Sequence, residues 1–428
     1  MNVLSVCEWE SLPVVEALGS QENRALTHHE VDILHDIGRR IGTPVIEQVS
    51  RRQVRFKQLV GLVQVGRRSI ELLPKIESPG EVAKTPVVRH NLLRMLLTAM
   101  DTDVHVPDAV DSELARAAWL DVFIRIFCGT LAEQIRRGII KRYRDEQDDL
   151  GVVRGHILLE EQLSRNFIHR ERIACEFDEL DVDHPLNQTF RLALSKMLPC
   201  CVLASTQRMV RELAVEFEAV SLRSATTRWW RDIELDRLAA RFQGALQMAR
   251  VFLDGVSPDV AAGGAASLAL LFDMGELFER YIGRMSRIAL GNSGLRVHLQ
   301  HARHFLARWH DSGERAFMLK PDIVVSRGGV PVCIGDTKWK RLAGAERKLG
   351  VSQADLYQML AYAGRYACAQ IVLLYPYQRT DEESAPINRL LGYEEQNVTA
   401  LIAQVTLVDL NTVPGQLSAL FSCATELR

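Results

Sequence analysis

Met318-Leu319-Lys320-Pro321-Asp322-Ile323-Val324-Val325, followed by Val332-Cys333-Ile334-Gly335-Asp336-Thr337-Lys338, is the stretch on which the fold of this chain turns. An Asp opens one apolar strand, and a second Asp and a Lys, two residues apart, close the next. Residues i and i+2 of a strand share a face, so Asp336 and Lys338 are expected to project together. Arg327-Gly328-Gly329-Val330-Pro331 has the composition of a hairpin turn, which would bring Asp322 beside them. Two carboxylates offer hard oxygen ligands for Mg²⁺, and an ammonium can orient water or stabilise charge developing on a phosphate. The bland alternative makes Asp322 a turn cap and Lys338 a solvated strand end. Against it, Asp336 follows an apolar strand, an awkward place for a carboxylate without a partner.

Outward from this pair the periodicity predicts a compact α/β unit. A helix over Leu268–Leu290 precedes strands at Leu295–Gln300, Ile323–Val325 and Val332–Ile334, then a helix over Gln353–Tyr366 and a strand over Gln370–Leu374. On the second helix Gln358 and Tyr362 lie four apart and share a face. The basic loop Lys338-Trp339-Lys340-Arg341 with Arg347-Lys348 leaves the second motif directly. Two carboxylates and a Lys so placed are equipment for metal-assisted phosphodiester hydrolysis. Charge runs are usually solvated faces, but one leaving such a site is where a DNA backbone should pass, so Lys340 and Arg341 are read as DNA-binding. His298, His301 and His304 sit three apart, which on a strand points neighbours to opposite faces, and no Cys completes a tetrahedral set.

The middle of the chain reads as helical, with apolar residues at three- and four-residue spacing over Val87–Met100, Leu114–Tyr143, Leu186–Leu203, Gln207–Ala219 and Leu235–Phe252. The acidic run Glu176–Asp183 is expected to be an Arg-paired or solvated loop, with Arg154 as a partner. Towards the start, a strand at Val3–Val6, a helix over Thr27–Ile41 and β-rich runs at Gln53–Val65 and Ser69–Ile76 joined at Gly66-Arg67-Arg68 predict a mixed α/β region with a β-hairpin. Ser78-Pro79-Gly80 and the breakers Asp254-Gly255-Val256-Ser257-Pro258 and Ala262-Gly263-Gly264 suggest domains at 1–80, 81–262 and 263–428.

Composition narrows the function classes. With 428 residues, 47% hydrophobic and 25% charged, the chain can bury real cores and is neither a disordered tail nor a fibre. Its 52 Lys+Arg against 54 Asp+Glu give a net charge of -2, so any nucleic-acid contact must come from a local basic surface. The eight cysteines form no C-x-x-C pair, which excludes a zinc ribbon or thioredoxin motif. No signal-peptide layout opens the chain and no apolar run reaches the ~20 residues of a membrane span, so a cytoplasmic protein with no membrane partner is expected. No G-x-x-x-x-G-K-[ST] occurs, so no nucleotide site of P-loop type is expected.

Pro321-Asp322 with Asp336-Thr337-Lys338 resembles the motif of the PD-(D/E)xK nuclease superfamily, and Gln358-x-x-x-Tyr362 resembles the Q-x-x-x-Y element of RecB-like nucleases. Phe272-Asp273-Met274-Gly275-Glu276-Leu277-Phe278-Glu279-Arg280-Tyr281, Val153-Arg154-Gly155-His156-Ile157, Asp183-His184-Pro185-Leu186-Asn187 and Ile70-Glu71-Leu72-Leu73-Pro74-Lys75-Ile76 extend the likeness. Together these resemble the McrC family, nuclease subunits of McrBC-type modification-dependent (type IV) restriction systems. The family's pattern has a polar residue such as Asn where Gly275 stands. The resemblance implies a C-terminal restriction-endonuclease-like α/β domain with Asp322, Asp336 and Lys338 catalytic, and Asp322, Asp336, Thr337 and Glu279 holding Mg²⁺, for which Mn²⁺ can substitute. Gln358 and Tyr362 would support the site; Glu276 is the alternative to Glu279. It further implies double-stranded modified DNA as substrate, and docking of the first 80 residues into a hexameric ring of an AAA+ McrB-like GTPase whose hydrolysis the chain stimulates. The competing function is a non-catalytic adaptor that activates such a ring and keeps the nuclease fold as scaffold. A stand-alone repair nuclease is disfavoured by the long N-terminal and helical extension.

Overall fold

The computed structural model describes residues 2–17, 24–65, 68–76, 86–100, 119–169, 171–225, 227–255, 268–344, 346–377, 385–393 and 397–426. The chain opens with β1 (Asn2–Cys7), β2 (Ser11–Val15), β3 (Leu26–Thr27), α1 (His28–Ile41), β4 (Ile46–Ser50), β5 (Gln53–Phe56), β6 (Leu59–Val65), β7 (Arg68–Leu73) and α2 (Pro86–Ala99). Helix α1 starts where the sequence says it should. Thr27 accepts from the Glu30 N–H while the Glu30 carboxylate accepts from the Thr27 N–H, a reciprocal capping box. Leu34 and Ile37 on its buried face join Phe56, Val63 and Ile70 in one core. The expected hairpin is present as β6 and β7, paired from Gly61↔Leu72 to Val65↔Arg68; residues 66–67 of its turn lie outside the described ones.

The chain then forms α3 (Trp119–Arg136), β8 (Arg142–Leu150), β9 (His156–Ile157), α4 (Leu159–Arg165), β10 (Ile173–Asp181), α5 (Pro185–Met197), α6 (Ala204–Val215) and α7 (Gln243–Gly255). Two expectations fail here, and a third is shortened, since the helix predicted over Leu235–Phe252 starts only at Gln243. The helix predicted over Leu114–Tyr143 ends at Arg136, near Gly138 with its φ of 105°, and residues 114–118 lie outside the described ones. The acidic run is not a loop but strand β10, antiparallel to β8 with Asp178 opposite Asp145. Arg154 does meet it, 3.9 Å from Glu179 and stacked 4.1 Å over the Phe177 ring. The helical part packs around Phe190, whose ring centroid lies 6.1 Å from Phe217 and 5.7 Å from Phe242.

The remainder comprises β11 (Leu268–Asp273), α8 (Met274–Leu290), β12 (Arg296–Leu299), β13 (His304–Arg308), β14 (Arg315–Leu319), β15 (Ile323–Arg327), β16 (Val330–Thr337), α9 (Gln353–Tyr366), β17 (Gln370–Tyr377), β18 (Asn388–Tyr393), β19 (Val398–Thr406) and α10 (Val413–Glu426). The helix predicted over Leu268–Leu290 is two elements: Leu268–Asp273 is a strand, and Asp273 caps the helix that follows by accepting from the Glu276 N–H. A six-stranded sheet runs β12-β15-β16-β17-β19-β18, with β15 antiparallel to β16 and β17 parallel to both β16 and β19. Ile334 and Leu373 share a core with Met359 and Tyr362 of α9, while Gly335, on the alternate face, leaves room for the Phe421 ring of α10.

Strand β11 pairs with β6, not with the six-stranded sheet, and completes the order β1-β7-β6-β11. Gly61 makes that pairing possible: with φ at 127°, a Cβ there would stand 2.0 Å from the Leu270 carbonyl oxygen. The chain therefore divides into Met1–Trp119 with Val260–Arg428 as one unit and Leu120–Asp259 as the other. That differs from the segments 1–80, 81–262 and 263–428 expected above. The physical reason is the β6–β11 ladder, which joins the early sheet to the last third of the chain.

Candidate active site

Register builds the site. Ile323 pairs with Gly335, so Asp322, one residue before β15, stands across from Asp336 near the end of β16. Asp322 Oδ2 accepts from both the backbone N–H and the hydroxyl of Thr337, each at 2.8 Å. Asp336 is 2% exposed, and Lys338 Nζ lies 2.5 Å from its Oδ2. Helix α9 adds a polar relay. Lys338 Nζ donates to Gln358 Oε1 at 3.4 Å, Gln358 Nε2 donates to the Tyr362 hydroxyl at 2.6 Å, and that hydroxyl donates to the Lys320 carbonyl at 3.3 Å. The relay thus runs from Lys338 back to the segment that carries Asp322.

Glu279 comes in from α8, where Gln300 Nε2 donates to its Oε1 at 2.7 Å. Glu276, the alternative, turns away into an exposed i,i+4 pair with Arg280. Gly275 also finds its reason, since a Cβ there would stand 2.9 Å from Gln58 Nε2 and 3.0 Å from the Asp273 carboxylate. An Asn at this place would crowd the Gln58 side chain.

The charges act on one another. Burial first and Asp336 second push the Asp322 carboxyl up to about 6, against the lowering hydrogen bonds from Thr337. Burial, then Asp322, raises Glu279. Asp336 is raised by burial, partly offset by Lys338, with Asp355 and Glu279 adding to the rise. Burial works against the Lys338 ammonium, but Asp336, Asp355 and Asp322 outweigh it and hold its pKa above the usual value. The result is a knot of carboxylates short of positive charge.

The donor set suits a hard divalent cation, being oxygen throughout. Among the described residues, however, no three His, Cys, Asp or Glu side chains stand ready as a metal cage. The reason is visible in the contacts: Thr337 takes Asp322 Oδ2, and Lys338 takes Asp336 Oδ2. A cation would have to compete with both.

Two residues escaped the sequence reading. Asp355, at the start of α9, is 8% exposed and receives Lys340 Nζ at 3.1 Å, so Lys340 is tied down on one side while Arg341 is exposed. Its signal was the spacing Ser352-x-x-Asp355, a helix-start pattern; the Ser352 hydroxyl accepts from the Asp355 N–H at 3.4 Å. Glu8 is the other. Both its carboxylate oxygens accept from the Trp339 indole N–H, at 2.9 and 3.0 Å, and Trp339 directly follows Lys338. The histidines form no ligand set: His304 packs edge-on against the Tyr366 ring at 4.4 Å, and His301 lies 5.7 Å from the same ring.

No helix among the described residues is long and apolar enough to cross a membrane. The fold has solved counterparts. A chain in a refined half-complex from a tetradecameric assembly of Thermococcus gammatolerans McrB AAA+ hexamers with bound McrC superposes with a TM-score of 0.69 at 19% identity, covering 98% of this chain and 99% of that one. A chain in a cryo-EM structure of the Thermococcus gammatolerans McrBC complex gives a TM-score of 0.52 at 18% identity, covering 67% and 88%. At such identities the likeness is one of fold. No curated protein matches the chain. A sequence model described as McrBC 5-methylcytosine restriction system component matches residues 54–376, well over half of the chain and the whole of the Asp322–Tyr362 region. The chain belongs to the family of McrBC 5-methylcytosine restriction system components.

Proposed function

We propose that this chain is the Mg²⁺-dependent DNA endonuclease subunit of a modification-dependent restriction complex, working with a GTP-hydrolysing AAA+ ring. The carrying observation is the register that sets Asp322 across from Asp336 with Lys338 on the same face. Asp322, Asp336 and Glu279 would hold the cation, with Thr337 beside them. When bound, Mg²⁺ supplies charge neutralisation at the scissile phosphate and lowers the pKa of a bound water. Lys338, paired with Asp336 and held by Gln358, would donate towards the attacking water or a phosphate oxygen. Tyr362 fixes Gln358 for that task.

The partner follows from family membership and from a surface. Helix α4 buries none of its residues, and Leu159 and Leu163, four apart on it, are 69% and 68% exposed. Val152, Phe167 and Ile168 nearby in the chain are 75%, 68% and 85% exposed. An apolar group of this kind marks a protein contact. Residues 1–80, by contrast, supply strands to two sheets of the unit that carries the candidate site, so they serve its stability whatever else they touch. We place the ring-facing surface on α4 and its flanks. An adaptor without catalysis is the weaker reading, because a decayed site would be free to lose Asp322, Asp336 or Lys338, and all are present.

The experiment is cleavage of methylated plasmid by the chain together with its AAA+ partner in Mg²⁺ and GTP. Asp322→Ala, Asp336→Ala and Lys338→Ala are each expected to slow cutting by on the order of 10² or more. Far-UV circular dichroism should show Lys338→Ala folded. Cutting at the wild-type rate by the double variant Asp336→Ala, Lys338→Ala would sink the nuclease assignment.

A further inference from the structure

Among the described residues, strands β13 and β14 pair only with each other and form a two-stranded ribbon. An ordinary surface ribbon shows polar side chains. This one exposes Leu306 (50%), Trp309 (56%), Phe317 (65%) and Met318 (56%). Trp309, at the turn end of the ribbon, and Phe317 hold their rings 6.3 Å apart, and Phe317 has a φ of 59°, a left-handed backbone that a bulky aromatic rarely adopts. Such strain persists where the surrounding structure imposes it, and it gathers at functional positions. Flanking the aromatics are Arg303, Arg308 and Arg315, all exposed and none in an ion pair with a described carboxylate; Arg315 instead lies 5.6 Å from the Phe305 ring centre. The ribbon's second strand leads through Leu319-Lys320-Pro321 straight into Asp322.

We propose that this ribbon is a DNA wedge: Arg303, Arg308 and Arg315 take phosphates while Trp309 and Phe317 press into a base step of the duplex next to the cleavage site. Cations without a carboxylate partner complement a polyanion, even where, as for Arg308 and the Gly313 carbonyl at 3.2 Å, one holds a backbone hydrogen bond. Apolar side chains presented between them are the equipment by which proteins part stacked bases. A two-stranded ribbon has the width to enter a groove. The inference rests on the nuclease reading for its choice of DNA, and it adds how the duplex is held and bent at the site. Bending at a forced step would also widen the groove for the Asp322–Lys338 end of the sheet.

The test uses the full chain with divalent metal withheld, so that binding is read without cutting. Short duplexes carry 2-aminopurine at successive positions, and anisotropy and 2-aminopurine fluorescence are followed together. Wild type should bind and brighten at least one position, reporting unstacking. Trp309→Ala combined with Phe317→Gly, which also relieves the positive φ, should lose the brightening and bind about tenfold more weakly. Arg308→Ala with Arg315→Ala should weaken binding and reduce the salt slope by about 2. Binding and brightening unchanged in the aromatic variant would overturn the wedge, as would no duplex binding by wild type at low salt. A shift of that variant from dimer to monomer in sedimentation, with DNA binding intact, would reassign the ribbon to a second copy of the chain. Asp336→Ala is the separate control: if it still cuts with the partner, the nuclease reading fails, whereas the wedge stands or falls on the metal-free binding.

Discussion

At the scale of single residues, the legible and the hidden differ by where the partner lies. Asp336 and Lys338 are two apart, so strand alternation alone put them on one face, and the Gly328-Gly329 turn brought Asp322 to them. Gln358 and Tyr362 were equally local. Glu8 was not legible, because the indole it receives is 331 residues away in the chain and nothing around Glu8 announces it. Burial pushes the Glu8 carboxyl from its ordinary 4.5 up to about 7, against the lowering hydrogen bonds from the Lys75 N–H and Trp339. The native state therefore keeps this proton to higher pH than the unfolded chain does. Its contribution to stability is complete below about pH 4.5 and is lost as pH rises through about 7. At about 1.4 kcal/mol for each pH unit the whole effect is on the order of 3 kcal/mol. Glu8→Gln, which cannot ionise, should flatten the fall in melting temperature between pH 5 and pH 8 relative to wild type. Parallel melting curves for the two proteins across that range would refute the assignment.

At the scale of elements, the chain was readable wherever local chemistry and tertiary packing agreed. Helix α9 was predicted over Gln353–Tyr366 and is found there, because Ser352 caps its start and Ala367 ends it in a left-handed turn. Strand β11 was absorbed into the helix after it, since Leu268-Ala-Leu-Leu-Phe272 is apolar at every position and satisfies both periods. Strands β8 and β10 were missed for the opposite reason: acidic residues crowd them, and the one alternating apolar run, Ile173, Cys175 and Phe177, is only three residues long. What fixed β11 as a strand was the open edge of β6, a tertiary cause. Gly61→Ala tests that ladder, because the new methyl would meet the Leu270 carbonyl and the backbone would have to abandon a φ of 127°. Strain of this kind together with overpacking should cost about 3 kcal/mol. A melting temperature within a degree or two of wild type would show that the ladder bends easily to admit it.

At the scale of the molecule, the candidate site belongs to the unit Met1–Trp119 with Val260–Arg428, and the exposed apolar helix α4 to the unit Leu120–Asp259. Sites that share no partners respond to substitution nearly independently. Leu159→Ser with Leu163→Ser should reduce stimulation of the AAA+ partner's GTP turnover about tenfold or more, as loss of central apolar anchors does, and leave the chain folded. Asp336→Ala should stimulate that turnover as wild type does, since the buried carboxylate it removes and the Lys338 it leaves unpaired belong to the unit that carries the candidate site, while α4 belongs to the other. Steady-state GTP hydrolysis with each variant reads both. Full stimulation by the Leu159, Leu163 variant would move the contact off α4.

The β6–β11 ladder also dictates an order of events on the ribosome. Strand β6 ends at Val65, and β11 begins at Leu268, so roughly 200 residues are made between one side of the ladder and the other. At ~5–20 residues per second this is an interval on the order of 10–40 s. Throughout it, a nascent β6, buried along its whole length in the native fold, offers an unfilled hydrogen-bonding edge to whatever strand arrives first. Leu120–Asp259 emerges meanwhile as a body with its own contacts, before the last third of the chain is made. Synthesis speed and chaperone cover during that wait thus decide the yield of native protein as much as its final stability does.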